Sequence, residues 1–117
     1  IKPNHHLIVA GLHDGFFILN KLRSIIEDNP NISYLFKPHP KSEKLELIKF
    51  VKKSKLNNLF IANDHISDYL NFVDKVYFGY SSVGQEADYL GIKIEIIYSN
   101  IKINESIYCR EEYFKNI

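Results

Sequence analysis

The chain has 117 residues, of which 45% are hydrophobic and 25% are charged. This composition is typical of one globular domain and excludes an intrinsically disordered chain. The formal net charge of +1 excludes a bulk field that would attract nucleic acid or an anionic membrane, so any anion must be bound locally. We therefore expect residues 1–117 to form a single domain without a nucleic-acid partner.

Five short apolar runs, rich in β-branched and aromatic residues, predict strands at residues 7–12, 34–36, 59–62, 76–78 and 92–97. Apolar residues at helical spacing lie between and after them, at residues 18–26, 45–51, 66–73 and 83–90. Strands that are apolar on both faces and alternate with amphipathic helices are typical of parallel sheets covered on both sides. The sequence thus predicts an α/β fold, a Rossmann-like doubly wound parallel sheet of about five strands.

Local signals mark the ends of these elements. Asn29-Pro30 is expected to end the first helix, Ser42 to begin the second, and Gly91 to cap the fourth at its C-terminus. Residues 99–117 are predicted to be a C-terminal tail. The absence of methionine predicts an excerpt from a longer polypeptide, and the absence of a signal peptide or long apolar run predicts a cytoplasmic protein.

No metal or other cofactor is expected. Cys109 is the only cysteine, and neither His5-His6 nor Asp64-His65 has further ligands at metal-binding spacing. Gly11 and His13 lie in a loop that is similar to a phosphate-approach loop. That loop lacks the glycine patterns of classical NAD and ATP sites, and its Asp14 is expected to be the N-cap of the first helix.

Ligands of open parallel sheets bind outside the carboxyl ends of the strands, so the loops at that edge are the candidate site. The most informative loop is Lys37-Pro38-His39-Pro40, where two prolines stiffen the backbone around an imidazole that can contact a phosphate. Lys37 adds positive charge. The alternative is a turn whose histidine caps a helix or contacts only water. At the opposite edge, as at Asn58 and Asp74, we expect ordinary solvated turns.

The junction between the fourth strand and its helix is a second candidate. Ser81 and Ser82 have the residue type favoured at a helix N-cap, where free N–H groups can bind an anion, and Gly79 permits a close backbone approach. Glu86 is spaced to lie on the same helix face as Ser82, where a carboxylate can accept two ribose or sugar hydroxyls. The alternatives are a plain N-cap and a surface glutamate.

Three segments together resemble a known family: Lys37-Pro38-His39-Pro40, residues 81–87 (Ser-Ser-Val-Gly-Gln-Glu-Ala) and Leu90-Gly91-Ile92. They are similar to the C-terminal, nucleotide-binding half of GT-B-fold glycosyltransferases of bacterial surface-polysaccharide synthesis. Within that group the pattern is most similar to the sialyltransferases, polysialyltransferases and capsule Kdo transferases. The resemblance covers roughly residues 7–98.

The resemblance implies that His39 is catalytic, binding the donor phosphate and assisting its departure, while Pro40 holds the loop. It implies that Ser81 and Ser82 bind the same phosphate and that Glu86 binds the ribose. The donor would be CMP-sialic acid or CMP-Kdo, used in capsule or lipooligosaccharide synthesis. The glycan acceptor and the general base would belong to a missing N-terminal half, and any peripheral membrane association to the full-length enzyme only.

Two alternatives stay open. One is a CDP-polyol phosphotransferase or a UDP-sugar enzyme of the same fold. The other belongs to a different class, a non-catalytic flavodoxin-like or receiver-like module that acts in protein interaction.

Overall fold

The computed structural model describes residues 4–42, 44–79 and 83–97. Over these residues strands and helices alternate as predicted. The strands are β1 (Asn4–Val9), β2 (Ile32–Lys37), β3 (Leu59–Ile61), β4 (Lys75–Phe78) and β5 (Lys93–Ile96). The helices are α1 (Gly15–Asp28), α2 (Lys44–Lys53), α3 (Ile66–Leu70) and α4 (Val83–Tyr89). The predicted tail, residues 99–117, lies outside the described residues.

The five strands form one sheet in the order β3-β2-β1-β4-β5, and every neighbouring pair is parallel. The predicted α/β class and parallel sheet are confirmed. This is the order of the first five strands of the Rossmann fold and differs from the flavodoxin-like order 2-1-3-4-5. Chain order reverses between β1 and β4, where Val9 lies opposite Phe78, so the crevice expected at a reversal falls at the carboxyl ends of these two strands.

The helices cover both faces of the sheet, because the central strands are apolar on both sides. Ile8 and Ala10 of the β1 segment pack with the residues of α1 and α2, whereas Leu7 and Val9 pack with those of α3 and α4. All four are at most 3% exposed. Full burial of a Leu, Ile or Val side chain contributes about 1.5–3 kcal/mol, so the two apolar layers fix which face of the sheet each helix covers.

Asn58 ties the loop between α2 and β3 to the end of α1. Its Nδ2 donates to the carbonyl oxygens of Ile26, Asn29 and Ile32, at 3.0, 2.9 and 3.1 Å. The expectation of an ordinary solvated turn at Asn58 was therefore wrong. Its side chain thus joins the end of α1 to the start of β2, and Asn29 is the C-cap as predicted.

Gly91 ends α4 in a Schellman motif. The Ile92 amide donates to the carbonyl of Ala87 and the Gly91 amide to that of Asp88, both at 3.0 Å. Gly91 has a φ of +77°, which glycine adopts without the steric cost that a Cβ would add. Ala87 and Ile92 also meet in the apolar layer under α4. The predicted C-terminal cap is confirmed.

The first strand begins earlier than its apolar run predicted. β1 starts at Asn4 and includes His5 and His6, which the hydrophobic pattern placed before the strand. His6 is accommodated because its ring lies between those of Tyr34 and Tyr77, with centroid distances of 5.3 and 5.7 Å. The Tyr77 hydroxyl and His6 Nδ1 are 3.3 Å apart. Contacts with aromatic rings thus hold His6 in the strand, in place of the aliphatic packing that an apolar run would supply.

The amino edge of the sheet holds a cluster of ionisable groups with shifted pKa values: His6, Tyr34, Lys75 and Tyr77. Burial, followed by the proximity of Tyr77, raises the pKa of Tyr34 to about 12. Burial opposes the charge on Lys75, but its 2.8 Å hydrogen bond to Glu95 and its contact with Tyr77 leave the pKa of Lys75 raised overall. Burial, and then the charge of Lys75, lower the pKa of His6. The cluster therefore favours an uncharged imidazole.

We expect the stability of the domain to fall on acidification partly through His6. Its pKa in the folded protein lies below the ordinary value of 6.5, so the unfolded chain binds the proton first as the pH falls through that value. The stabilising effect is therefore present above pH 6.5 and lost below it. Melting temperatures measured between pH 8 and pH 5 should fall less steeply for His6→Gln than for the wild type. An unchanged slope in His6→Gln, with His5→Gln as the control, would contradict this assignment.

Candidate functional site

A cavity of about 540 Å³ opens at the carboxyl edge of the sheet, between the strand ends and helices α3 and α4. Among the described residues, four ionisable ones line it: Lys37, His39, His65 and Glu86. We call it the His39 cavity. Its volume lies within the range of small-molecule sites, and its wall mixes these groups with apolar residues such as Val9 and Ile66. Such a cavity can hold a ligand that has both a charged and an apolar part.

His39 is presented by a closed β-turn. The Ser42 amide donates to the His39 carbonyl at 3.0 Å, and the Ser42 hydroxyl donates to the same oxygen at 2.6 Å. Pro40 occupies the second position of this turn, where its fixed φ is favoured. Ser42, which the sequence assigned to the start of α2, thus closes the turn, and α2 begins at Lys44. The stiff presentation predicted for His39 agrees with this geometry.

One ring nitrogen of His39 is already engaged. The Lys41 amide donates to His39 Nδ1 at 3.0 Å. A ring nitrogen that accepts a hydrogen bond holds no proton, so in the neutral ring the proton is on Nε2. His39 can therefore offer an Nε2–H donor to a ligand oxygen, with its tautomer set by the backbone of its own turn.

Lys37 and Glu86 add opposite charges to the cavity. Lys37 is the last residue of β2, its carbonyl accepts the Ala10 amide at 3.0 Å, and its half-buried side chain lines the cavity. Glu86 is an exposed residue in the first turn of α4. A cation and an N–H donor suit a phosphate, whereas a carboxylate suits the hydroxyl donors of a sugar. The cavity wall thus carries groups for an anion and a group for hydroxyl donors.

Asp14 and Gly79 meet at the reversal between β1 and β4. Asp14 is 1% exposed and its Oδ1 accepts the Gly11 amide at 2.6 Å. It occupies the N-cap position of α1, as predicted, but makes no side-chain capping hydrogen bond there. A Cβ on Gly79 would collide with Asp14 Oδ2. The close approach that Gly79 permits is therefore that of the Asp14 carboxylate, and nucleotide contacts of Gly11 and Gly79 stay predictions.

The other predicted site residues are not brought to the His39 cavity by the described part of the chain. His13 lines a separate cavity of about 410 Å³ on the α1 and α2 side, together with Leu12, Phe16 and Lys41. Ser81 and Ser82 lie outside the described residues, so their predicted phosphate contacts stay predictions. The structure thus brings together Lys37, His39, Pro40 and Glu86.

His65 is an ionisable residue of this cavity to which the sequence assigns no site role. The sequence predicts that it lies in the loop after the third strand, at the candidate edge, but without further ligands at metal-binding spacing. Its place in the third loop is the available signal, because that loop reaches the same edge as the second. The structure places His65 on the wall of the His39 cavity.

Over residues 4–42, 44–79 and 83–97, no three His, Cys, Asp or Glu side chains lie close enough together to hold a metal ion. Within the same residues no helix has both the length and the apolar character needed to cross a bilayer.

No protein-family model matches the chain, and no curated protein matches its sequence. The resemblance based on the His-Pro and Ser-Ser segments therefore stays a prediction.

Proposed function

We propose that this chain is the donor-nucleotide-binding half of a glycosyltransferase that uses a CMP-activated sugar acid. The supporting observation is that Lys37, His39 and Glu86, which lie far apart in the sequence, line one cavity of suitable size at the carboxyl edge of a Rossmann-ordered sheet. The proposed setting is the cytoplasmic synthesis of bacterial capsule or lipooligosaccharide. The glycan acceptor would bind to a further domain.

The chemistry of the transfer explains why these groups are suitable. The bond between the sugar and the donor phosphate oxygen breaks, and its electron pair stays on the phosphate. The acceptor oxygen forms the new bond, and its proton passes to a base outside this chain. Negative charge thus grows on the phosphate, where the fixed Nε2–H donor of His39 and the charge of Lys37 stabilise it.

The ribose would bind at Glu86. Its carboxylate can accept hydrogen bonds from both the 2′- and 3′-hydroxyls, because each oxygen has two lone pairs. The apolar wall near Val9 and Ile66 would exclude water from the nucleoside. Since Glu86 and His39 line the same cavity, one nucleotide can contact both.

The strand order favours this proposal over the module alternative. Flavodoxin-like and receiver-like proteins have the order 2-1-3-4-5, whereas this sheet has the order β3-β2-β1-β4-β5. A CDP-polyol or UDP-sugar enzyme of the same fold would use the same phosphate and ribose contacts. The identity of the base therefore has to be measured.

We expect Glu86→Gln to weaken binding of CMP by about tenfold, because the amide retains only one acceptor oxygen and loses the charge. Calorimetric titration should show a much smaller effect on 2′,3′-dideoxy-CMP, which has no ribose hydroxyls for Glu86 to bind. Asp88→Asn, on the same helix, is the control. Equal losses for the two nucleotides, or no binding of CMP, UMP, CDP or AMP to the wild type, would contradict the proposed function.

A further inference from the structure

His65 and His39 leave the sheet on neighbouring loops. Phe36 of β2 pairs with Ile61 of β3, and the Ala62 amide continues the ladder to the Phe36 carbonyl at 2.8 Å. His39 follows its paired residue by three positions and His65 by four. The two loops therefore leave the sheet side by side, and both imidazoles line the same cavity.

The loop that presents His65 is braced. The Asp64 amide donates to the Tyr69 hydroxyl at 3.0 Å, and Tyr69 is only 9% exposed. The His65 carbonyl accepts the Asp68 amide at 3.0 Å. The His65 side chain makes no capping hydrogen bond to α3, although the residue occupies its N-cap position. The backbone of this loop is thus fixed while the imidazole is left to contact a ligand.

The strand order sets the spatial order of these residues along the edge of the sheet. His65 follows β3, His39 follows β2, and Glu86 follows β4, with β1 between the last two strands. His39 therefore lies between His65 and Glu86 along the edge. With a ribose at Glu86 and its phosphate at His39, His65 is reached by the group attached to the far side of that phosphate.

We propose that His65 binds a second anionic group of the donor, next to the phosphate held by His39. His39, His65 and Lys37 line the cavity together with the carboxylate of Glu86, so the described wall offers N–H donors and positive charge at more than one place along the edge. The second anion is the carboxylate of a sugar acid, which shares its anomeric carbon with the phosphate, or the β-phosphate of a nucleoside diphosphate. This inference rests on the proposed function and assigns which group of the donor His65 recognises.

Calorimetric titrations of the chain with CMP, CDP and CMP-sialic acid test the assignment. We expect His65→Ala to weaken the binding of CDP, of CMP-sialic acid or of both by about tenfold, while the affinity for CMP changes less than about twofold. A loss confined to CMP-sialic acid identifies a carboxylate, and a loss confined to CDP a β-phosphate. His5→Ala, at the opposite edge, is the matched histidine control, and melting temperatures check that His65→Ala is folded.

The failures of the two proposals are distinguishable. Equal loss for all three nucleotides would make His65 a nucleoside contact, and no loss for any would make it a bystander. Either result overturns the assignment of His65, whereas binding of CMP to the wild-type chain and its dependence on His39 would still support the proposed function. Failure of the wild-type chain to bind any of the three nucleotides would overturn the proposed function itself.

Discussion

Gly79→Ala is expected to destabilise the domain by about 3 kcal/mol, which corresponds to a fall of roughly 10 °C or more in melting temperature. The added methyl group would collide with Asp14 Oδ2 and lie 3.1 Å from the Ile97 carbonyl oxygen. Asp14 cannot move away easily, since its short side chain is 1% exposed and hydrogen-bonded to the Gly11 amide. Thermal unfolding measures the loss directly.

Two further variants separate a collision from a general glycine effect. Gly91 lies after the end of α4 with nothing within 4 Å of an added Cβ, so Gly91→Ala should cost only about 1 kcal/mol through its φ of +77°. In an Asp14→Ala background the carboxylate is gone, and Gly79→Ala should become much less costly. Additive losses in the double variant would show that the contact with Asp14 is not the cause.

His39→Ala is expected to weaken CMP binding by at least about tenfold while changing the melting temperature little. The variant removes the Nε2–H donor that would face the phosphate. The bond from the Lys41 amide to Nδ1 is lost, but the two bonds from Ser42 that close the turn end on the His39 carbonyl and are kept. His39→Gln, which retains an N–H donor, should bind CMP with intermediate affinity.

The matched control for His39→Ala is His13→Ala. Both histidines lie at the carboxyl edge, but His13 lines the separate cavity on the α1 and α2 side. The proposal places the nucleotide in the His39 cavity, so His13→Ala should have the smaller effect on CMP binding. A large effect of His13→Ala and none of His39→Ala would move the site to the other cavity.

The regular part of the fold could be predicted because it depends on local signals. Apolar runs locate the strands, and Gly91 identifies the C-terminal end of α4 from a single conformational property. The predicted boundaries of the elements are wrong where the local apolar pattern does not decide which residues belong to an element. His6 belongs to β1 because Tyr34 and Tyr77 surround it, and α3 ends at Leu70, short of the apolar spacing that runs to Val73.

The candidate site could be predicted in part for the same reason. Parallel strands deliver their following loops to one edge, so His39 and Glu86 could be expected at the same edge without knowledge of the strand order. Contacts between segments that are distant in the sequence could not be predicted. Nothing in the residues around Gly79 indicates that Asp14 lies against it, and His65 enters the site only through the pairing of β3 with β2.

The most direct test of the central claim is an NMR titration of the histidine ring nitrogens with CMP. In the free protein the His39 signals should report a proton on Nε2, because Nδ1 accepts the Lys41 amide. Addition of CMP should shift His39 Nε2 saturably and leave His5 and His6, at the opposite edge, unchanged. A His39 signal that does not move, or equal small shifts of all histidines, would contradict a nucleotide site in this cavity.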